Sequence, residues 1–314
     1  MGTVFLNTLT PMLMMFTCMV IGFVLNKKKI CPENTATVLS KLETNVLLPA
    51  LTIYTFSKYC TVESLSQQYR QILFCALILA VAIGLAFALA PLFAKKGYKR
   101  NIYHYALTFG NFGFMGNAIV PAILGEAALY DYMLFTLPLN IAAYTWGIAG
   151  LIPKSEGKQN PLKSLLNPPM FAVAIGMVLG LTGVYRYLPA FVNNTLSGLG
   201  NCMGPVAMVL TGFLIGQYPI KKLLTDKKVY VASVLRLFVL PALFVLILKL
   251  LGADNRAISM CLFAFGTPLG LNTVVFPAAY GGDPSTGVSM ATISHTACVI
   301  TIPVMYALLT TFVI

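Results

Sequence analysis

Charged side chains are scarce in this sequence. Of its 314 residues, only 10% are charged, with nine Asp and Glu against 21 Lys and Arg. Soluble domains carry about 25% charged residues. Hydrophobic residues make up 58% of the chain, more than a soluble domain of this length buries. The composition excludes most soluble enzymes, nucleic-acid-binding proteins and disordered chains, and it predicts an integral membrane protein.

Motifs of the common catalytic and metal-binding classes are also missing. The seven cysteines form no CxxC pair, which argues against a disulfide framework or a zinc site. No G-x-S-x-G, H-E-x-x-H or G-x-x-x-x-G-K-[ST] motif occurs. The sequence therefore predicts no enzymatic activity, no metal, no cofactor and no ATP-driven transport by this chain alone.

Long apolar runs separate the charged segments. A membrane-spanning helix needs about 20 apolar residues. Only helices and closed barrels pair every backbone group within a bilayer, and these runs are too long and too uniformly apolar for barrel strands. The sequence predicts an all-α membrane protein with ten transmembrane helices, at residues 4–25, 43–57, 71–93, 103–127, 132–152, 169–188, 196–216, 229–251, 257–280 and 286–313.

The positive residues are unevenly divided between the connections. Odd-numbered connections contain 15 Lys and Arg, whereas even-numbered connections and their flanks contain five. The positive-inside rule places the odd connections in the cytoplasm, and both termini outside. The net charge of +12 is explained by these clusters, so we expect the lipid bilayer, and no nucleic acid, as a partner.

The two halves of the chain resemble each other. A shift of 156 residues superimposes identical residues in spans 2 and 7 and in spans 4 and 9. We predict a first five-helix repeat at 1–152, a cytoplasmic linker at 153–168 and a second repeat at 169–314. Five is odd, so the second repeat is inverted, which is typical of secondary transporters. The aligned pairs include Asn45/Asn201, Pro49/Pro205, Gly110/Gly266 and Pro121/Pro277.

Spans 4 and 9 are rich in glycine and proline, which weaken helices. We predict that both are broken helices that cross, with Gly116, Pro121 and Pro277 marking the breaks. A break just before each proline would begin a half-helix near the midplane, and helix N-termini suit anions. The alternative is a pair of kinked helices whose small residues allow close packing.

Amide and hydroxyl side chains lie at these breaks or within other spans. An amide binds a carboxylate through its NH2 group or a cation through its oxygen. For each residue the alternative is an interhelical hydrogen bond. The candidates for substrate binding are Asn45, Asn111, Asn117, Asn140, Asn201, Thr267, Asn272 and Thr273.

Three ionisable residues in or at the spans are candidates for a coupling or a structural charge: Glu43, Arg236 and His295. We expect Arg236 to extend to the cytoplasmic face. His295 is either a structural histidine or a proton carrier. We expect Glu43 to pair with Lys41 at the membrane interface.

Several segments resemble the auxin efflux carrier family. Residues 111–116, NFGFMG, with the Leu-Gly-Glu at 124–126, are similar to its N-x-G-F-x-G…G signature in span 4. Residues 45–49 resemble its span 2, and Gly204, Pro205 and Gly212 resemble its span 7. Arg236 with Pro241 resembles span 8. Residues 280–283 and 301–303 resemble spans 9 and 10, so the resemblance runs nearly end to end.

This resemblance implies a scaffold domain and a crossover domain, in a fold shared with sodium–bile acid symporters. It implies a small organic anion as substrate, such as malate, malonate or an auxin-like acid, and contact of Asn117 and residues 271–273 with it. A bacterial cytoplasmic membrane and a homodimer would suit it. Ala118 and Thr273 depart from the family, since prolines often stand there, and His295 stands where a small hydroxyl residue is expected.

The leading hypothesis is therefore a secondary transporter of a small carboxylate that works by alternating access, with H+, Na+ or the membrane potential as driving force. One alternative is a sodium-coupled symporter similar to bile acid carriers. A ligand-binding membrane sensor is disfavoured because the longest cytoplasmic connection has only about 16 residues.

Overall fold

The computed structural model describes residues 1–152, 166–279 and 281–314. Most of the predicted linker, residues 153–168, lies outside the described residues, and so does Tyr280. Within the described ranges the chain is all-helical and contains no strand. The predicted fold class is confirmed at that level, and the inverted repeat of ten spans stays a prediction.

The helices follow the apolar runs of the sequence. In the described ranges, regular α-helices alternate with four wide turns of π-helix, at Glu43–Leu47, Phe112–Gly116, Ala143–Gly147 and Leu235–Val239, and one 3-10 turn at Val184–Tyr187. The α-helices are α1 Gly2–Lys27, α2 Thr35–Leu42, α3 Leu48–Tyr59, α4 Val62–Phe93, α5 Tyr98–Thr108, α6 Asn117–Leu124, α7 Glu126–Phe135, α8 Leu137–Ala142, α9 Pro168–Leu181, α10 Ala190–Gly216, α11 Ile220–Leu223, α12 Lys227–Val234, α13 Leu240–Leu250, α14 Asn255–Phe265, α15 Asn272–Ala279 and α16 Ser285–Phe312.

Five helices in the described ranges are long and apolar enough to cross a membrane. They are α1, α4, α10, α16 and the helix from Lys227 to Leu250, which joins α12 and α13 through a wide turn. They coincide with predicted spans 1, 3, 7, 8 and 10. The other five predicted spans correspond to shorter or interrupted helical segments.

Two of the wide turns have a proline as their local cause. Proline has no N–H, and its ring clashes with the carbonyl four residues earlier, so the helix must open there. The turn that ends at Leu47 precedes Pro49, and the turn that ends at Val239 precedes Pro241. The Leu48 N–H accordingly donates to the carbonyl of Glu43, five residues back.

Glycines allow close packing of the long helices. On α1 and α10, a β-carbon at Gly22 would overlap with the backbone of Val209, and one at Gly212 with the carbonyl of Met19. Gly180 of α9 lies just as closely against the carbonyl of Cys60 at the end of α3. Small residues at helix interfaces give membrane proteins much of their packing energy. These helices form a tightly packed frame beside the interrupted segments.

The helix interruptions lie earlier in the chain than we predicted. The chain leaves helical conformation at residues 109–111 and 266–271. Gly116 ends a wide turn that leads directly into α6, and Pro121 and Pro277 lie inside α6 and α15. This corrects the predicted positions. A proline inside a helix forfeits one backbone hydrogen bond, whereas the two observed breaks pair with each other.

Candidate functional site

The two breaks contact each other inside the protein. The Asn111 N–H donates to the carbonyl of Pro268 at 2.7 Å, and Gly110 pairs with Leu269 as an isolated antiparallel bridge. Backbone groups that leave a helix at membrane depth need such partners, because lipid offers none. The pairing therefore stabilises both breaks and joins the two interrupted segments.

Arg236 lies between the helix ends that lead into the breaks. Its Nη1 donates to the carbonyls of Leu107 and Thr108, at 3.1 and 3.2 Å, at the end of α5. Its Nη2 donates to the Ala264 carbonyl, at 3.5 Å, near the end of α14. The guanidinium also lies 5.6 Å from the ring centre of Phe265. Carbonyls at a helix C-terminus carry partial negative charge, so this cation stabilises both ends.

The expectation that Arg236 extends to the cytoplasmic face was wrong. Its side chain is fully buried, because carbonyl groups of both breaks are within its reach. Gly110 makes room for it, since a β-carbon there would overlap with the guanidinium.

His295 and Ser294 on α16 bind the two breaks from the other side. His295 Nε2 lies 2.9 Å from the amide nitrogen of Asn111, and His295 Nδ1 lies 2.9 Å from the carbonyl of Ala291. A carbonyl only accepts, so Nδ1 carries the proton and Nε2 accepts from the amide. The Leu269 N–H donates to Ser294 Oγ at 3.1 Å. In this structure His295 positions Asn111.

A cavity of about 50 Å³ lies next to the paired breaks. Four of the eight predicted substrate-binding residues line it: Asn111, Asn117, Asn140 and Asn272. Its remaining walls are largely apolar and come from α3, α7, α8, α9 and the wide turns. A few amides on an otherwise apolar wall are typical of small-molecule sites.

The other four predicted residues do not line this cavity. Asn45 and Asn201 are exposed, and the Asn45 amide donates to the carbonyl of Lys41 in its own helix. Thr267 and Thr273 are fully buried, and their hydroxyls donate to backbone carbonyls three residues earlier. The two threonines therefore stabilise the break in span 9.

Gly116 is required by close packing. Tyr132 of α7 donates from its hydroxyl to the carbonyl of Phe112 at 2.9 Å, and a β-carbon at Gly116 would overlap with that hydroxyl. Gly116 thus allows the tyrosine to hold the wide turn on the cavity side of the break.

Glu43 does not pair with Lys41 as we expected. The two are two residues apart, a spacing that does not face two side chains toward each other on a helix. Lys41 is exposed, whereas Glu43 is fully buried. Neither carboxyl oxygen has a hydrogen-bond partner in the described part of the chain.

A family model described as "Membrane transport protein" matches residues 7–306. The chain belongs to this family, the auxin efflux carrier family. No curated protein sequence gives a significant match to this chain. The resemblance inferred from the sequence is confirmed, and it identifies an integral membrane protein of a transport family, not of an enzyme family.

In this auxin efflux carrier family member, two helix N-termini face the cavity. The helical segment that begins at Phe112 and helix α15, which begins at Asn272, both start among the lining residues. The first N–H groups of a helix carry partial positive charge. At the start of α15, those of Thr273 and Val274 already donate to the carbonyls of Gly270 and Leu271. The negative ends of α5 and α14 are bound by Arg236 instead. The cavity therefore has a field that suits an anion.

Three polar residues that line or adjoin the cavity of this family member were not identified from the sequence. Tyr105 of α5 accepts a hydrogen bond from the Asn272 amide at 2.7 Å, which fixes that amide at the cavity. Thr52 and Tyr144 contribute to the lining. The available signal was a hydroxyl inside an apolar span, since a buried tyrosine hydroxyl usually has a partner.

Ion pairs tie helix ends together at the edges of the predicted spans. Lys58 Nζ lies 3.0 Å from Glu126 Oε2 and donates to the Tyr54 hydroxyl, which raises the pKa of Lys58. Asp131 Oδ2 lies 3.3 Å from Arg256 Nε. Burial raises the pKa of Asp131 to about 6, although the neighbouring Arg256 lowers it.

Proposed function

We propose that this protein is a secondary transporter that moves a small organic anion by alternating access at the cavity between the two breaks. The substrate class is a carboxylate such as malate, malonate or an auxin-like acid. Membership of a membrane transport family supports transport. The observation that supports an anion as substrate is the pair of helix N-termini at the cavity. The C-terminal ends of α5 and α14 are bound by Arg236 instead.

The substrate carboxylate would bind to backbone N–H groups and to amide NH2 groups. The N–H groups come from the first residues of the segment that begins at Phe112 and from Asn272, and the amides from Asn111, Asn117, Asn140 and Asn272. Charge-assisted hydrogen bonds of this kind are about twice as strong as neutral ones. Apolar lining would accommodate the rest of the molecule and exclude water.

Substrate entry would require movement of the surrounding helices. A cavity of about 50 Å³ has room for only a few water molecules. Rocking of the interrupted segments against the frame of α1 and α10 would open it to one side and then to the other. This is the alternating access found in transporters with inverted repeats. Both termini outside, a bacterial cytoplasmic membrane and a homodimer belong to the same proposal.

The sodium-coupled symporter is the second candidate. Carbonyl oxygens at an unwound segment are the usual ligands of a coupling Na+. Here Arg236 binds the carbonyls of Leu107, Thr108 and Ala264, and a sodium ion would have to compete with it. This observation favours the first candidate.

The test is charge movement by purified protein in proteoliposomes on a supported membrane. Malate, malonate and indole-acetate are added in turn, with and without sodium and at two pH values. We expect a saturable, anion-dependent current. Silence with all three in folded protein, with no exchange of labelled anion, would contradict carboxylate transport. A current that requires sodium would favour the second candidate.

Two variants test whether the substrate binds in this cavity. We expect Asn117→Ala and Asn272→Ala each to abolish transport while the melting temperature stays near that of the parent protein. Asn45→Ala is the matched control, because the Asn45 amide is exposed and bonded within its own helix. Normal flux in both well-folded cavity variants would rule out the site.

A further inference from the structure

Glu43 is a buried acid that the proposed anion site does not use. Its side chain is fully buried, and both carboxyl oxygens lack a hydrogen-bond partner in the described ranges. Buried polar groups in proteins are almost always hydrogen-bonded, and intramembrane acids usually have a function. An acid kept in this position calls for an explanation beyond packing.

The described elements that pack against the turn at Glu43 bring no cation to it. The turn Glu43–Leu47 packs against α9 and α10 as well as its own neighbours α2 and α3. Helices α9 and α10 contain no charged residue and no histidine, and their one ionisable side chain is that of Cys202, which is exposed. The ionisable side chains of α2 and α3 are those of Lys41, which is exposed, and of Tyr54, Lys58 and Tyr59 at the far end of α3.

Without a nearby cation, the ionised form of the Glu43 carboxyl is less stable than its protonated form. An unpaired carboxylate is strongly disfavoured in an apolar environment, so such a group gives up its charge by binding a proton. Water or an approaching cation would reverse the balance. Glu43 therefore responds to any motion that hydrates it.

Glu43 is one helical turn from the wall of the anion cavity. The Leu48 N–H donates to the Glu43 carbonyl across the wide turn, and Leu48 lines the cavity together with Thr52 and Phe56 on the same face of α3. A turn of helix rises about 5 Å. A negative charge at Glu43 would thus oppose an anion in the cavity, and a proton on Glu43 would remove that repulsion.

The local backbone also permits movement. Wide turns of π-helix are frequent at functional sites and mark positions where a helix changes register. The turn at Glu43 exists because Pro49 cannot complete the regular hydrogen-bond pattern. The regular hydrogen-bond pattern is therefore already interrupted where the helix leads from Glu43 to the cavity wall.

We propose that Glu43 is a proton-binding site that couples anion transport to proton transport in the same direction. The carboxyl takes one proton from water on the side where the anion enters and returns it to water on the side where the anion leaves. Because proton and anion favour each other's binding, each raises the affinity of the other by the same factor. This inference rests on the proposed function.

The experiment uses full-length protein in proteoliposomes that contain a pH-sensitive dye. The probe is whichever of malate, malonate or indole-acetate the parent protein exchanges. We expect anion uptake to acidify the lumen. In Glu43→Gln, we expect acidification per anion to fall at least tenfold while exchange of labelled anion persists. The anion affinity of the parent should weaken as pH rises, and that of Glu43→Gln should not change with pH.

Two further variants control this experiment. Glu33→Gln removes an exposed acid that lies just before α2. Anion uptake by this variant should acidify the lumen as it does in the parent. Glu43→Asp keeps a carboxyl group and should retain coupled proton flux, which covers the case in which Glu43→Gln fails to fold.

The outcomes separate the two proposals. Absence of any anion flux in the parent would contradict the proposed function. Anion flux without lumen acidification in the parent, or equal acidification per anion in Glu43→Gln, would overturn the role of Glu43 and leave anion transport standing.

Discussion

Replacing Arg236 by Met tests whether the guanidinium stabilises the two breaks. Met has a similar length but offers no donor. The carbonyls of Leu107 and Thr108 would lose their partner, whereas the Ala264 carbonyl keeps the hydroxyl of Thr267 at 3.0 Å. Each unsatisfied buried carbonyl costs about 1–3 kcal/mol. Removing a buried charge returns part of this cost.

We therefore expect Arg236→Met to lower the free energy of unfolding by about 2–4 kcal/mol. Arg236→Gln should act in the same direction with a smaller loss, because its amide still offers a donor. The assay is unfolding in detergent, followed by the fluorescence of the single tryptophan, Trp146, which lies near Phe109 at the first break.

Arg186→Met is the matched control, because Arg186 is exposed and its loss removes the same charge. It should unfold like the parent protein. Arg236→Met with parental stability would refute the argument that the guanidinium holds the helix ends. A loss of anion affinity in Arg236→Gln, with unchanged expression and melting temperature, would instead place Arg236 at the substrate.

Two further predictions concern packing and pH. Gly116→Ala should lower both the melting temperature and transport, because its β-carbon would displace the Tyr132 hydroxyl. Gly84→Ala, at an exposed glycine of α4 with open space around it and outside the cavity lining, is the control for both readouts. The raised pKa of Asp131 means that the folded state favours its protonated form, so this residue's contribution to stability should decline as pH rises from about 4 to 6. Asp131→Asn should remove that part of the pH dependence, and an unchanged profile would contradict it.

The sequence identified which spans are broken but not where. Glycine and proline marked spans 4 and 9 because their effect on helices is local. The position of each break depends on the other break, since the Asn111 N–H finds its partner at Pro268. Such a pairing between distant segments is tertiary, and no local propensity reports it.

The same limit explains the outcomes for the polar residues. Span composition flagged Asn111, Asn117, Asn140 and Asn272, which line the cavity. It also flagged Asn45, which is exposed, because the sequence does not give the rotation of each helix about its axis. The two wide turns that precede Pro49 and Pro241 were foreseeable in principle, since a proline inside an apolar helix removes a backbone donor.

The position of Arg236 shows why depth along a span is a weak guide to environment. Its sequence position suits an arginine that extends to the membrane surface. The alternative is available only because α5 and α14 both end beside it, and this convergence follows from the fold. An arginine that binds two helix ends needs no acidic partner.

In the proposed function, the cavity at the paired breaks holds the transported anion and opens to each side of the membrane in turn. The most direct measurement is thiol labelling of Phe114→Cys in a chain without its seven native cysteines, because Phe114 lines the cavity. We expect slow labelling by an impermeant reagent from either side of the membrane, with protection by the anion that drives current. Labelling from one side only, at a rate that the anion does not change, would contradict it.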